Sequence, residues 1–279
     1  MGDEVLSEVR DDGVAVLTLN RPDRLNAWTI AMEDRYFDLL LELEAHDGVR
    51  AVVVTGAGRG FSPGVDLAGP DDPHLYGSLE RRPTTLPLGV RLPILAAING
   101  PVAGVSLVQA LQCDLRFAAP GVKMTFAFPR RGLVAEYGAS WLLPRLIGTG
   151  RALDLLLSGR TILSEEALEM GLVNRVVPAE DLLDAAIAYA ADLAANCSPA
   201  SLSVIKQQVH ADWEVDLETA RVRVAGLVAA SLDGPDFREG IRSFRDRRPP
   251  AFPARGRGSN SELGPTRSRS EEGESPPRP

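Results

Sequence analysis

Histidine and cysteine are scarce in this 279-residue sequence, which has only His46, His74 and His210 and only Cys113 and Cys197. No HExxH pair and no CxxC pair occurs, so neither a metal site nor a disulfide framework has the residues it needs. The two cysteines are expected as buried free thiols, Cys113 as a small core residue, and the compartment as cytoplasmic. Basic charge is short as well. Lys and Arg number 30 against 38 Asp and Glu, for a formal charge of −8. That balance lacks the basic stripe that displaces counterions, so no nucleic-acid partner is expected. No apolar run is long enough to span a bilayer, and the first ten residues lack the basic start and apolar stretch of a signal peptide. No membrane partner is expected either. Aromatics are only 5%, against 44% hydrophobic residues in all and 26 glycines. That composition suits a tightly packed α/β protein of one large or two modest domains.

Residues 14–20, "VAVLTLN", are β-rich and run into the turn at Pro22, so they predict a strand. From Thr29 to about His46 the apolar residues recur at helical spacing, and Asp47-Gly48 closes that helix. "RAVVVTG" and "PILAAI" predict short buried strands of a parallel sheet. Between them, residues 56–90 hold Pro, Gly and clustered charge, the composition of a long loop, and such loops commonly serve as functional lids. A small-residue helix is expected from Gly104, followed by strands in "DLRFAA" and "KMTFAF". From Ser140 onward the pattern is largely helical, with Ser164-Glu165-Glu166 and Ser198-Pro199 placed as helix starts. Residues 254–279 carry almost no apolar anchor and are expected to be disordered.

Inside "GRGFSPGVDL", Gly60, Ser62 and Gly64 spell G-x-S-x-G, the nucleophile-elbow pattern. Backbone chemistry argues against that role. An elbow takes an oxyanion donor from the N–H of the next residue, and here that residue is Pro63, which has none. Proline also pushes Ser62 toward extended conformations. A dinucleotide fingerprint fails too, because Phe61 stands where the last glycine belongs, and no Gly-Lys-Ser/Thr exists for a P-loop. What remains is a strand running into a loop of small residues, and a second such loop in "AINGPVAGVSL" before a helix. Two loops of this kind could present main-chain N–H donors to a carbonyl oxygen that gains charge. They could equally be two ordinary β-to-α turns.

The sequence resembles the crotonase superfamily, the enoyl-CoA hydratase/isomerase family. The likeness is carried by "VAVLTLNRPDRLNAW", "VVVTGAGRGFSPGVDL", "RLPILAAINGPVAG" with "ALQCDLRFAA", "RRGLVAEYGASWLLPRLIG", "LLLSGRTILSEEALEMGLVNRVVP" and "DFREGIRSFRDRRPPAF". It implies a crotonase-like spiral of ββα units over residues 1–195 with the acyl-CoA site, and a C-terminal helical trimerisation region over 196–253. It implies an acyl-CoA thioester as substrate, no cofactor beyond the coenzyme A of that substrate, and a homotrimer or hexamer. The oxyanion donors it implies are the N–H groups of Val65 and Val105. Its substrate and CoA pocket maps to Arg24, Ala27, Val65, Asp66, Leu67, Ala68, Gly104, Phe128 and Leu133.

Departures from the family's pattern bear on the chemistry. Val105 occupies a position commonly held by glycine, and its branched side chain is stiffer and bulkier. The positions matching the two hydratase glutamates hold Val108 and Phe128, neither able to move a proton. Glu136, in "GLVAEYG", matches the single carboxylate of the family's enoyl-CoA isomerases. Its neighbours Leu133, Val134, Ala135 and Tyr137 are apolar surroundings that raise a carboxylate's pKa toward that of a useful base. The expected function is therefore a double-bond shift in an enoyl-CoA. The alternatives are hydration proper, or a trimer that binds acyl-CoA without turnover, and Glu136 could instead cap the helix containing Trp141. Lesser candidates are Asp71, Asp72, His74 and Glu80 as lid charges, Asp66 as an acceptor of local N–H bonds, and Arg247 and Arg248 as partners for a CoA phosphate.

Overall fold

Strands that read as unbroken apolar runs must be covered on both faces, and the valine run before Thr55 is. A computed structural model describes residues 3–69, 74 and 78–253. β1 (Val5–Val9) and β2 (Val14–Leu19) form an antiparallel pair, and β3 (Ala51–Gly56) and β4 (Ile94–Ile98) are added in parallel. β5 (Val102–Ala103) leaves this sheet, and β6 (Leu115–Ala118) returns to it beside β4. β7 (Lys123–Thr125) leaves again and pairs with β5 and with β8 (Thr161–Leu163), and β9 (Arg175–Val176) completes the first sheet beside β6. The larger sheet has the order β1-β2-β3-β4-β6-β9 and the smaller β5-β7-β8.

The chain thus repeats one move: a strand in the large sheet, a short extended piece in the second layer, then helix. After β3 the short piece is Ser62, which bridges Val102 of β5, and after β2 it is Trp28, which bridges Val65. This is the expected spiral of ββα turns.

α1 (Ile30–Ala45) starts where Thr29 accepts a hydrogen bond from the Met32 amide at 3.0 Å. Thr29 also donates to Glu4, tying β1 to the helix start. α2 (Leu86–Gly89) is a single turn before β4. α3 (Gly104–Gln112) follows β5, α4 (Ala139–Ile147) packs against α3 and α5 (Thr149–Ser158), and α6 (Ser164–Met170) packs against β8 and β9. α7 (Leu182–Asn196) covers β2, β3, β4 and β6. Its buried face is Ala186, Ala190 and Ala194, one per turn, and such small side chains let the helix axis lie close on the sheet. α8 (Pro199–Asp212), α9 (Leu217–Asp233) and α10 (Pro235–Asp246) finish the described chain. Lys206 of α8 is buried and donates to Leu92 O and Asp114, which joins these helices to the sheet.

One local expectation is corrected and one refined. The chain beyond Ser140 is largely helical, as expected, with β8 and β9 interrupting it. These strands are only three and two residues long, too short for a period-2 pattern to stand out. Ser164 lies inside α6 rather than capping it: its hydroxyl accepts from the Val122 amide, and Glu165 accepts from the Gly121 amide. Tertiary partners claimed the side chains that a cap would use. Ser198 does cap α8 through the Ser201 amide. Asp71, Asp72 and the 254–279 tail lie outside the described residues. Among the described residues, no helix is long and apolar enough to cross a membrane.

Because Thr29 answers an otherwise unpaired amide of α1, Thr29→Ala is expected to cost about 1 kcal/mol. Urea unfolding of the purified chain measures it, and an unchanged midpoint would show that the cap contributes nothing.

Candidate active site

The two glycine-bearing loops meet. Ser62 N donates to Pro101 O at 3.2 Å and Ala103 N to Ser62 O at 3.0 Å, a short stretch of parallel pairing. The contact is close enough that only glycine fits at two points. A Cβ on Gly100 would lie 2.2 Å from Arg59 O, and Gly64, at φ +99°, would bring one to 3.0 Å from Ala103 O. Ser62 and Ser106 are fully buried, and their hydroxyls lie 2.6 Å apart, clipping one loop to the other. That settles the G-x-S-x-G pattern: Ser62 is a structural clip beyond the reach of any substrate.

Asparagines brace the same loops. Asn26 is buried and donates to Ala57 O and Gly60 O while accepting from the Arg21 amide. Asn99 exchanges bonds with the backbone of Gly56 and reaches Gly58 O. Arg21 donates to Ala27 O and to Asp66. Asp66 is therefore held by a guanidinium rather than by local N–H groups, which corrects the expectation for it.

Beyond the pairing, the two chains arrive side by side at Val65 and Val105. Trp28 N donates to Gly64 O and Asp66 N to Trp28 O. A parallel bridge of this register leaves the intervening Val65 N–H facing the other way, and no backbone acceptor takes it among the described residues. Val105 is in the first turn of α3, whose amides have no acceptor within the helix and carry the positive end of its dipole. The Val105 side chain itself is packed in the core at 2% exposure.

Both residues line a cavity of about 770 Å³. Leu67, Gly104, Phe128, Leu133 and Glu136 line it too. Arg24, Ala27, Asp66 and Ala68 do not. Arg24 is exposed at the end of a 3-10 turn (Pro22–Arg24), Ala27 is buried, and Ala68 is exposed outside the cavity. His74 lines the cavity, while Glu80 lies outside it. Arg248 is engaged by Glu239 at 2.6 Å, so it is not free for a phosphate, and Arg247 forms the left-handed end of α10.

Glu136 sits at the turn before α4, half-buried, with no hydrogen-bond or ion-pair partner among the described residues. Burial raises its pKa above the ordinary carboxylate value. The capping alternative does not hold: α4 starts at Gly138 without a side-chain cap, and only the Glu136 carbonyl accepts, from the Ala139 amide. Tyr137, the next residue, has φ 56°, a left-handed backbone that costs a non-glycine residue about 1 kcal/mol or more. That bend sends the Glu136 and Tyr137 side chains to different places. Tyr137 turns inward, and its hydroxyl donates to the buried Glu33 at 2.6 Å. Val108, in contrast, is fully buried in α3 and outside the cavity.

The sequence profile described as "Enoyl-CoA hydratase/isomerase" matches residues 9–255. The chain belongs to the enoyl-CoA hydratase/isomerase family. Among relatives in this family, a 1,2-epoxyphenylacetyl-CoA isomerase of Escherichia coli K12 is 37% identical over 267 residues, covering 89% of this chain and 97% of the relative. An enoyl-CoA hydratase of Mycobacterium marinum is similar in structure at 47% identity and TM-score 0.68, over 77% of this chain and 100% of that one. An enoyl-CoA hydratase of Bacillus anthracis gives TM-score 0.85 at 29% identity, over 90% of this chain and 100% of that one.

Ser62→Ala should leave the buried Ser106 hydroxyl unpaired and cost about 1–2 kcal/mol, read as a lower unfolding midpoint. A fluorophosphonate probe should leave Ser62 of the native chain unlabelled. Covalent labelling there would overturn its assignment as a clip.

Proposed function

We propose that this chain, by family an acyl-CoA enzyme of the hydratase/isomerase type, moves the double bond of an enoyl-CoA. The observation that carries the proposal is one carboxylate, Glu136, without a partner among the described residues, in a cavity also lined by the two amide-bearing residues Val65 and Val105. The Val65 and Val105 N–H groups hold the thioester oxygen of a 3-enoyl-CoA. Glu136 removes a proton from the second acyl carbon, and the electron pair spreads over a dienolate whose negative oxygen faces the two amides. The proton returns to the fourth carbon, the double bond comes to rest between the second and third, and Glu136 is ionised again. Each well-aimed donor in such a hole supplies about 3 kcal/mol. A pKa raised by burial makes Glu136 a stronger base than an ordinary carboxylate, which eases the first step.

Hydration proper needs a second proton-moving group to orient water. Val108 is apolar and buried away from the cavity, and Phe128 is apolar within it. The CoA portion is assigned to the rim formed by the 24–27 turn and residues 65–68, which the Trp28–Val65 bridge brings together. The name of the Escherichia coli relative makes an epoxide of phenylacetyl-CoA the second substrate to offer.

A homotrimer or a pair of trimers fits the C-terminal helices. α9 has no buried residue, and Val222, Val228 and Leu232 on it, with Phe244 on α10, are at least half or nearly half exposed. Surface of that kind marks an association face. Analytical ultracentrifugation is expected to give a multiple of three protomers, and a monomer at micromolar concentration rules the assembly out.

With 3-enoyl-CoA as substrate, Glu136→Gln should lower the isomerisation rate by about a hundredfold or more. Since the base must be ionised, kcat/KM of the native chain should fall as pH drops through the raised pKa of Glu136, above the usual carboxylate range. Stability should move the other way. A folded-state pKa raised by burial favours folding of the protonated form, and that advantage is lost as pH rises through it. Glu136→Gln should therefore be slightly more stable than the native chain at pH 7 and not at pH 4. Brisk hydration of 2-enoyl-CoA, unchanged in Glu136→Gln, would sink the isomerase proposal.

A further inference from the structure

Glu33 of α1 is fully buried and lies outside the cavity. A carboxylate there is costly unless its oxygens are bonded, and the groups that bond it come from three separate segments of the chain, two of which line the cavity. Oε2 accepts the Trp28 indole N–H at 3.1 Å and the Tyr137 hydroxyl at 2.6 Å. Oε1 accepts Arg81 Nη2 at 3.1 Å, and the same nitrogen reaches Asp34 at 2.9 Å. Trp28 is the residue whose backbone bridges Val65 and sets the direction of its N–H. Tyr137 follows Glu136 and holds a left-handed backbone that needs an outside bond to keep it. Arg81 belongs to the 78–85 segment that walls the cavity.

α3 ties two of these places a second time. Gln109 donates to Thr84 O at 3.1 Å and Gln112 to Tyr137 O at 2.9 Å. The helix that presents Val105 thus also grips the Glu136 turn and the 78–85 wall by their backbones, while Glu33 grips them by their side chains.

We infer that Glu33 is the positioning residue of this site: one buried carboxylate that fixes the Val65 amide, the Glu136 turn and the Arg81 wall relative to one another. It touches no substrate and acts through the groups it holds. Its expected effect on rate rests on Glu136 as proton carrier, and its hold on the 78–85 segment does not. Reacting groups displaced by an ångström lose much of their rate while binding is little affected, so the signature is a fall in kcat rather than a rise in KM.

The test uses the full chain with Glu33→Gln, Tyr137→Phe and Glu136→Gln, alone and combined, and 3-enoyl-CoA as substrate. Tyr137→Phe removes one hydrogen bond and should lower kcat about tenfold with KM within about threefold of native. Glu33→Gln keeps the side chain's shape without its charge. It should lower kcat at least as much and speed trypsin cleavage of the native protein after Arg81 several-fold. In the Glu136→Gln background Tyr137→Phe should not lower the residual rate further, because it acts through that residue, whereas Glu33→Gln keeps its share through Trp28 and the Val65 amide. Native kcat in both variants with only a lower unfolding midpoint would make Glu33 a stability residue and overturn the inference. A Tyr137→Phe loss that multiplies with that of Glu136→Gln would overturn it as well. If Glu136→Gln itself keeps the native rate, the proton carrier is wrong, and the trypsin cleavage then decides the tether alone. Should Glu33→Gln fail to fold, Tyr137→Phe carries the kinetic test and Arg81→Met the cleavage test, read with chymotrypsin after Leu79 because that variant lacks the trypsin site.

Discussion

The site depends on the parallel pairing of Ser62 with Val102. Those two backbone bonds, with the hydroxyl contact between Ser62 and Ser106 behind them, bring two loops from neighbouring strands into contact. Three residues further along each chain, the amides of Val65 and Val105 come to one cavity wall. Neither amide is special by itself. A loop N–H in water is satisfied by solvent, and a helix start is common. In the proposed oxyanion hole, backbone pairing orders both chains before any ligand arrives.

Electrostatics follows from that arrangement. The larger sheet is parallel from β2 onward, so its loops after β3 and β4 emerge at the same edge, where open α/β sheets place their ligands. The cavity lining mixes apolar side chains such as Leu67, Phe128 and Leu133 with Arg81, Arg82, Arg131 and His74, and the start of α3 and the desolvated Glu136 carboxylate are part of it. Glu136 is held there by a strained turn, and the strain is offset by Tyr137 bonding to Glu33 and Gln112. Stability given up at the Glu136 turn is recovered one layer away.

Much of the fold was legible in the residues. The valine run of β3 and the apolar run of β4 announce buried parallel strands, and Thr29 and Ser198 mark helix starts that the structure uses. β8 and β9 were missed because two or three residues carry no period. Ser164 misled because its hydroxyl bonds to Val122 across the chain instead of to its own helix. Of the candidate site, the backbone residues Val65 and Val105 and the carboxylate of Glu136 could be singled out by motif. Arg21, Asn26, Glu33, Arg81, Asn99 and Ser106 could not. Asn26 has a faint local signal, since asparagine tolerates the left-handed backbone it adopts at φ 62°. Glu33 has none, because its spacing looks like one more charge on a helix.

The amino-acid sequence by itself determined what depends on neighbours along the chain: the strands and helices, the inability of Pro63 to complete an elbow, and the absence of a second acid at Val108 and Phe128. Tertiary structure alone decided which polar groups meet. Glu33 bonds Tyr137 across 104 positions and Arg81 across 48, and nothing in either local stretch encodes the partner. A charge on an amphipathic helix is assigned to solvent by its periodicity. Only the packing of Trp28, Tyr137 and Arg81 around it buries that charge.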